Sequence, residues 1–156
     1  MKYFEYIKEY IPYIRGEVSG SSIEEIELTE KQLNIKFPIA YREYLLLFGK
    51  NSGSLHEPDQ CNLNELSDMQ IEANEIFKRE VRLYHPLLKP TELVIVLHLN
   101  YSFFYLTDID KHENPPVWLY VQGDEIHEYK EAENFTDFIY KCLKIEATYN
   151  EKLWQK

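Results

Sequence analysis

The stretch Leu93-Val94-Ile95-Val96-Leu97 decides how the chain is read. Five consecutive aliphatic residues, three of them β-branched, form a run short enough for a strand and predict a buried central one. Working outward, Tyr101 to Leu106 predicts an aromatic-rich second strand, and Val117-Trp118-Leu119-Tyr120-Val121 a third. Between them, Asp108 to Pro116 is a polar loop. Gln122-Gly123-Asp124-Glu125 predicts a tight turn into a shorter fourth strand, Ile126 to Tyr129. Leu93–Leu97 and Val117–Val121 should be neighbouring parts of one sheet.

The flanks read as helices. Before the strands, Phe4, Ile7, Ile11 and Ile14 fall at helical spacing, with Pro12 kinking or ending that segment. Gly16 to Ser22 is a small, polar loop. A helix starts near Ser22 and runs to about Leu33, with Glu24, Glu25 and Glu27 in its early turns, where the helix dipole favours acids. Pro38 suits the first residue of the next helix, which carries Tyr41, Tyr44, Leu45 and Phe48 and stops at Gly49. Lys50 to Asn62 is turn-rich. Ser67-Asp68-Met69-Gln70 has the spacing of a capping box and predicts a helix with Met69, Ala73, Ile76, Phe77, Val81 and Tyr84 on one side. His85-Pro86 and Lys89-Pro90 close it. After the strands, Asn134 caps a last helix with Phe138, Cys142, Ile145 and Tyr149 on one face. Helices, then consecutive strands, then a closing helix predict an α+β fold: a mainly antiparallel sheet covered by the Pro38–Phe48 and Asn134–Tyr149 helices. At 156 residues the expectation is one domain over 1–156, with a helical part over about 1–50, a sheet part over about 91–130 and a closing helix over about 134–149.

Composition narrows the function classes. The chain carries 17 Lys and Arg against 27 Asp and Glu, a net charge of −10. That sign argues against direct nucleic-acid binding and anionic membrane surfaces, and favours a basic protein partner. The stretch Leu93 to Leu106, 14 residues without a charge, is short of the roughly 20 a spanning helix needs. Glu5 interrupts the apolar run a secretory segment would require, and Cys61 and Cys142 stand far apart, so a reduced, cytoplasmic setting is expected.

Signals for chemistry are weak. His127-Glu128-Tyr129-Lys130-Glu131 has glutamate where a zinc-protease motif needs its second histidine. Asp108-Ile109-Asp110 opens like a calcium loop, but Glu113 occupies the glycine position and Leu119 the place of the bidentate glutamate. The five histidines form no ligand-spaced pair, and no nucleophile elbow or phosphate-cradling glycine loop occurs. No catalytic residue, metal or cofactor is therefore expected. What remains is acidity interleaved with aromatics: eight acids against two lysines lie between Asp108 and Glu133, around Trp118, Tyr120 and Tyr129. If Val117, Leu119 and Val121 pack inward, strand alternation leaves Trp118 and Tyr120 outward as anchors. The candidate partner-binding residues are Asp108, Asp110, Glu113, Trp118, Tyr120, Asp124 and Glu125.

Three ordered blocks resemble the SUKH superfamily, which groups bacterial toxin-immunity proteins with a yeast cell-wall-signalling regulator. They are Leu33-Asn34-Ile35-Lys36-Phe37-Pro38 with Tyr41, Tyr44-Leu45 and Asn51-Ser52-Gly53; then Asn114-Pro115-Pro116-Val117 with Trp118-Leu119-Tyr120; then Asn134-Phe135-Thr136-Asp137-Phe138. The resemblance covers roughly Ile23 to Leu143. Asn34 departs from the usual glycine, and Asn51-Ser52-Gly53 from the usual paired glycines. The resemblance carries over no catalytic position. It implies binding and neutralising a cognate toxin domain, with a basic one such as a nuclease fitting the charge. A regulatory protein-interaction module of the same fold is the alternative, and a hydrolase built on Asp108, Asp110 and His112 a distant third.

Overall fold

The computed structural model describes residues 1–79, 86–123 and 128–154. An N-terminal 3-10 helix, Glu5–Tyr13, is followed by β1 (Val18–Ser19), α1 (Ile23–Leu33), α2 (Ile39–Phe48) and β2 (Asn51–Ser52). Two 3-10 turns, Gly53–His56 and Leu63–Glu65, lead into α3 (Leu66–Arg79). Then come β3 (Leu93–His98), β4 (Ser102–Leu106), β5 (Val117–Val121), β6 (Glu128–Ala132) and α4 (Phe135–Trp154). β1 and β2 pair as a short ribbon, and β3-β4-β5-β6 form an antiparallel meander. The architecture is α+β, as expected.

Local chemistry explains most boundaries. Ser22 caps α1: its side chain accepts the Glu25 N–H at 3.2 Å, and the Glu25 carboxylate accepts the Ser22 N–H at 2.8 Å. Asn34 ends α1 in the left-handed region at φ 52°, which asparagine tolerates nearly as well as glycine. In the next loop only Gly53 has positive φ, and a Cβ there would sit 2.6 Å from the Arg15 carbonyl, while Ser52 stays at φ −98°. Both departures from the resembled pattern are thus conformationally sound. Gly49 ends α2 in ordinary helical geometry; it is glycine because a Cβ would lie 2.4 Å from Ser21 Oγ. The capping box before α3 is formed by Asn62 and Glu65, not by Ser67 and Gln70. Leu66 is already helical, so Ser67 falls inside the first turn. Val81 and Tyr84 lie outside the described residues.

Cross-strand register assigns the two faces of the sheet. Phe103 pairs with Tyr120 and Tyr105 with Trp118, which puts these four side chains on one face. Phe77 of α3 packs there, 5.3 Å from the Phe103 ring and 4.8 Å from that of Tyr120. On the opposite face Phe138 of α4 meets Phe104 at 4.9 Å. The Pro38–Phe48 helix was expected to cover the sheet beside α4; its Tyr41 and Tyr44 rings instead pack on Phe135 of α4, at 5.5 and 5.4 Å. Val94 and Val96 are both buried, as expected of a strand between layers.

β3 is nevertheless not central. It lies at one edge of the meander, with β4 between it and β5. Its burial comes from side chains and loops that close the edge. The Gln70 amide donates to the Val94 carbonyl at 2.8 Å and accepts the Val94 N–H at 2.9 Å, standing in for a neighbouring strand. Gln60 and Leu97 exchange backbone bonds at 3.0 and 2.9 Å. At the other edge, β6 carries Lys130 and Glu131, a register irregularity opposite Val117 and Trp118, and a Lys141 ammonium on the Glu131 carbonyl at 2.9 Å.

The terminal elements differ most from expectation. The first segment is a nine-residue 3-10 helix containing Pro12. The proline removes a donor and crowds the preceding turn of an α-helix. Tertiary contacts hold the segment instead: Phe4 and Ile7 are fully buried, and the Glu43 carboxylate of α2 accepts the N–H groups of Lys2, Tyr3 and Phe4 at 2.7, 2.7 and 2.9 Å. In α4, Asn134 caps as expected, accepting the Asp137 N–H at 2.9 Å. The inner stripe, however, is Phe135, Phe138, Ile139, Leu143 and Glu146, whereas Ile145 and Tyr149 are exposed. Glu146 turns inward because it has partners there: Ser54 Oγ donates to it at 2.6 Å, and Arg15 Nε lies 3.8 Å away.

Candidate functional site

β4 and β5 are joined at one end of the sheet by residues 107–116, and the chain leaves β5 at the opposite end through Gln122 and Gly123. Of the predicted binding residues, Asp108, Asp110 and Glu113 lie in the first of these connections and Trp118 and Tyr120 on β5. Asp124 and Glu125 lie outside the described residues. Asp108 enters the loop at φ 51°, and its carbonyl accepts the N–H groups of Lys111 and His112 at 3.0 and 3.2 Å. That turn folds Lys111 back, its ammonium 3.0 Å from the Asp108 carboxylate.

Trp118 is half-buried and lies in a cross-strand row between Tyr105 and Lys130. Phe77 packs on Phe103 and Tyr120 of this face. A cavity of about 550 Å³ lies over it, lined by Trp118, Tyr105, Glu92, Asp108, Glu128 and Lys130 among others. The Tyr105 hydroxyl donates to Glu128 Oε1 at 3.0 Å; burial and then the neighbouring Glu128 carboxylate push the phenol's pKa well up, so it stays a donor. Lys130 reaches Glu133 at 2.7 Å.

Tyr120 is not an anchor. It is 1% exposed, between Phe77 and a stacked Phe103 ring at 5.2 Å. The alternation argument assumed one covered face, but this sheet is covered on both, so facing away from Val117 and Val121 does not mean facing solvent. Asp110 and Glu113 are separated from Asp108: they line a second hollow of about 500 Å³ with Phe37, Pro38, Ile39 and His112. Glu113 serves the fold. It accepts the Tyr3 hydroxyl at 2.7 Å and pairs with the Lys2 ammonium, while its carbonyl accepts the Ala40 N–H at 2.9 Å. Lys2 and then Tyr3 hold its carboxyl below the usual range.

Burial pushes the Cys61 thiol up to about 11 and that of Cys142 to about 12, so neither is thiolate at neutral pH. His98 lies 2.5 Å from Asp59 and edge-on to Tyr101. Among the described residues no three His, Cys, Asp or Glu side chains are grouped to hold a metal ion, and no helix is long and apolar enough to cross a membrane.

Residues 20–141 match the SMI1 / KNR4 family (SUKH-1). The chain belongs to this family. The matched span runs from α1 through the meander into the first turns of α4, and contains all three resembled blocks. Among curated proteins none matches the chain. The N-terminal 3-10 helix, β1 and the last turns of α4 lie outside the SUKH-1 span, as do both residues of the Arg15–Glu146 contact. Sequence reading passed over the polar groups that bind these additions, Glu43 and Glu146. A glutamate among Ala40, Tyr41, Tyr44 and Leu45 was the available signal: an acid inside an apolar stripe needs a partner.

Proposed function

We propose that this SUKH-1 protein is an immunity-type binder that neutralises a cognate toxin domain by tight protein–protein association, with no chemistry of its own. The observation that carries the reading is family membership across residues 20–141, which is consistent with immunity or regulatory roles. The net charge of −10 supports a basic toxin, such as a nuclease, through attraction that speeds encounter. The half-buried Trp118 ring beside Asp108 supports an interface centred on one aromatic anchor. A cytoplasmic site of action belongs to the same proposal.

The test is co-expression. A toxin domain encoded beside this gene should arrest a sensitive host when expressed alone. It should become harmless, and co-purify as a defined complex, when this chain is present. Undiminished killing with no complex would refute the proposal. A complex with a signalling protein in place of a toxin would favour the regulatory role.

A further inference from the structure

The N-terminal 3-10 helix and α4 meet along a seam of tyrosines. Tyr6 and Tyr10 both lie edge-on to Tyr140 of α4, with ring centroids 6.2 and 5.7 Å away. Tyr10 and Tyr140 also meet at their tips, where the Tyr10 hydroxyl donates to the Tyr140 oxygen at 3.5 Å. In an oxidised phenol the reactive ring positions are the two carbons flanking the hydroxyl. A tip-to-tip approach therefore brings the reactive ends of both rings together. The Tyr41 and Tyr44 rings are also close, at 6.0 Å, but they stack and are 0% and 3% exposed, out of reach of an oxidant in solution. Tyr10 and Tyr140 are half-buried and Tyr6 is 46% exposed, so the seam opens to solvent.

The surroundings ease proton loss from one of the two rings. The hydrogen bond from Tyr10, and then the Lys144 ammonium 4.5 Å from the ring centroid, lower the pKa of Tyr140. The same hydrogen bond raises that of Tyr10 to about 12. A phenol gives up an electron most readily as its proton leaves, so Tyr140 is placed to react first.

We propose that Tyr10 and Tyr140 form an oxidative cross-linking site, at which a one-electron oxidant such as a ferryl haem joins the two rings as dityrosine. Each phenol gives one electron to the oxidant and its hydroxyl proton to solvent. The two phenoxyl radicals couple through one carbon–carbon bond between positions beside the hydroxyls. The hydrogens on those carbons then shift to the oxygens, which restores both phenols. The net loss is two electrons and two protons, and two oxidising equivalents are consumed. The new bond staples the 3-10 helix, outside the SUKH-1 span, to the closing helix. It involves no partner and stands apart from the immunity reading.

The test oxidises the intact protein at low concentration with a ruthenium tris-bipyridine complex, persulfate and light, followed by dityrosine fluorescence and peptide mass spectrometry. The expected product is a monomer two hydrogens lighter, in which the peptides bearing Tyr10 and Tyr140 are joined. Tyr10→Phe and Tyr140→Phe should each abolish that product. Tyr101→Phe, at a position 42% exposed between β3 and β4, should leave its yield unchanged. Unfolding in urea should scatter the links among other tyrosines, which ties the result to the fold without relying on a variant. Links in the native chain that join other tyrosines, or that form only between molecules, would overturn the proposal. So would an equal yield of the Tyr10–Tyr140 link in urea.

Discussion

His56 makes the fold sensitive to mild acid. Its ring is 8% exposed, stacked on Phe138 at 6.1 Å and tilted against Tyr44 at 6.3 Å, and its Nε2 makes no hydrogen bond. Burial lowers its pKa from 6.5 to about 4. As pH falls below 6.5 the unfolded chain takes up a proton that the folded chain refuses until about pH 4. Stability is therefore full above the unfolded value and declines across that window. From pH 7.5 to 5.0 these two values give a loss of about 2 kcal/mol from this residue alone. Urea denaturation at both pH values reads it, comparing the native chain with His56→Gln. The substitution shifts stability at every pH, but it removes the titration. The native chain should lose about 2 kcal/mol more than the variant on acidification. Equal losses would show that His56 is protonated within the fold, and the burial argument would fail.

Four further variants test the contacts. Glu43→Ala leaves three backbone donors without their acceptor and should cost about 3 kcal/mol; amide exchange should accelerate over residues 2–14, while Glu43→Gln retains part of the protection. Tyr120→Ala should cost about 3–5 kcal/mol of stability, as for other large buried rings. Trp118→Ala should leave the melting temperature nearly unchanged and raise the dissociation rate of a bound toxin, so a melting loss as large as that of Tyr120→Ala would mean Trp118 belongs to the core. Gln70→Ala should expose the β3 edge and increase concentration-dependent association in light scattering, and a variant that stays monodisperse would show that the Gln60 bridge suffices.

The elements that sequence revealed are those whose signal is local. The aliphatic run at Leu93, the Ser22 and Asn134 caps and the Pro38 helix start each depend on a few adjacent residues. Facing and order were less legible. In β5 a two-residue period says which side chains oppose one another, but not which face is covered, so Tyr120 was misplaced once α3 covered the second face. β3 read as central because apolar density reports burial, and Gln70 and Gln60 bury an edge as effectively as a strand would. The polar partners were the least visible part. Glu43 reaches Phe4 across 39 residues, and Ser54 reaches Glu146 across 92. No local pattern contains such pairs, and Glu146 displaced the expected apolar stripe of α4.

The closure of both sheet edges bears on how a protein in the proposed binding role acquires new partners. With Gln70 and Gln60 on β3, and the charged, irregular β6 held by Lys141, neither edge readily offers main-chain groups to a visiting strand. Main-chain pairing recognises any extended peptide, so an open edge would accept many proteins indiscriminately. In the proposed binding role, recognition falls to side chains rather than to main-chain pairing. Such contacts change one substitution at a time while the backbone stays fixed. In the proposed toxin-binding role, a lineage could thus alter which toxin it answers without rebuilding the scaffold, and the same shielding disfavours strand pairing between copies of the chain.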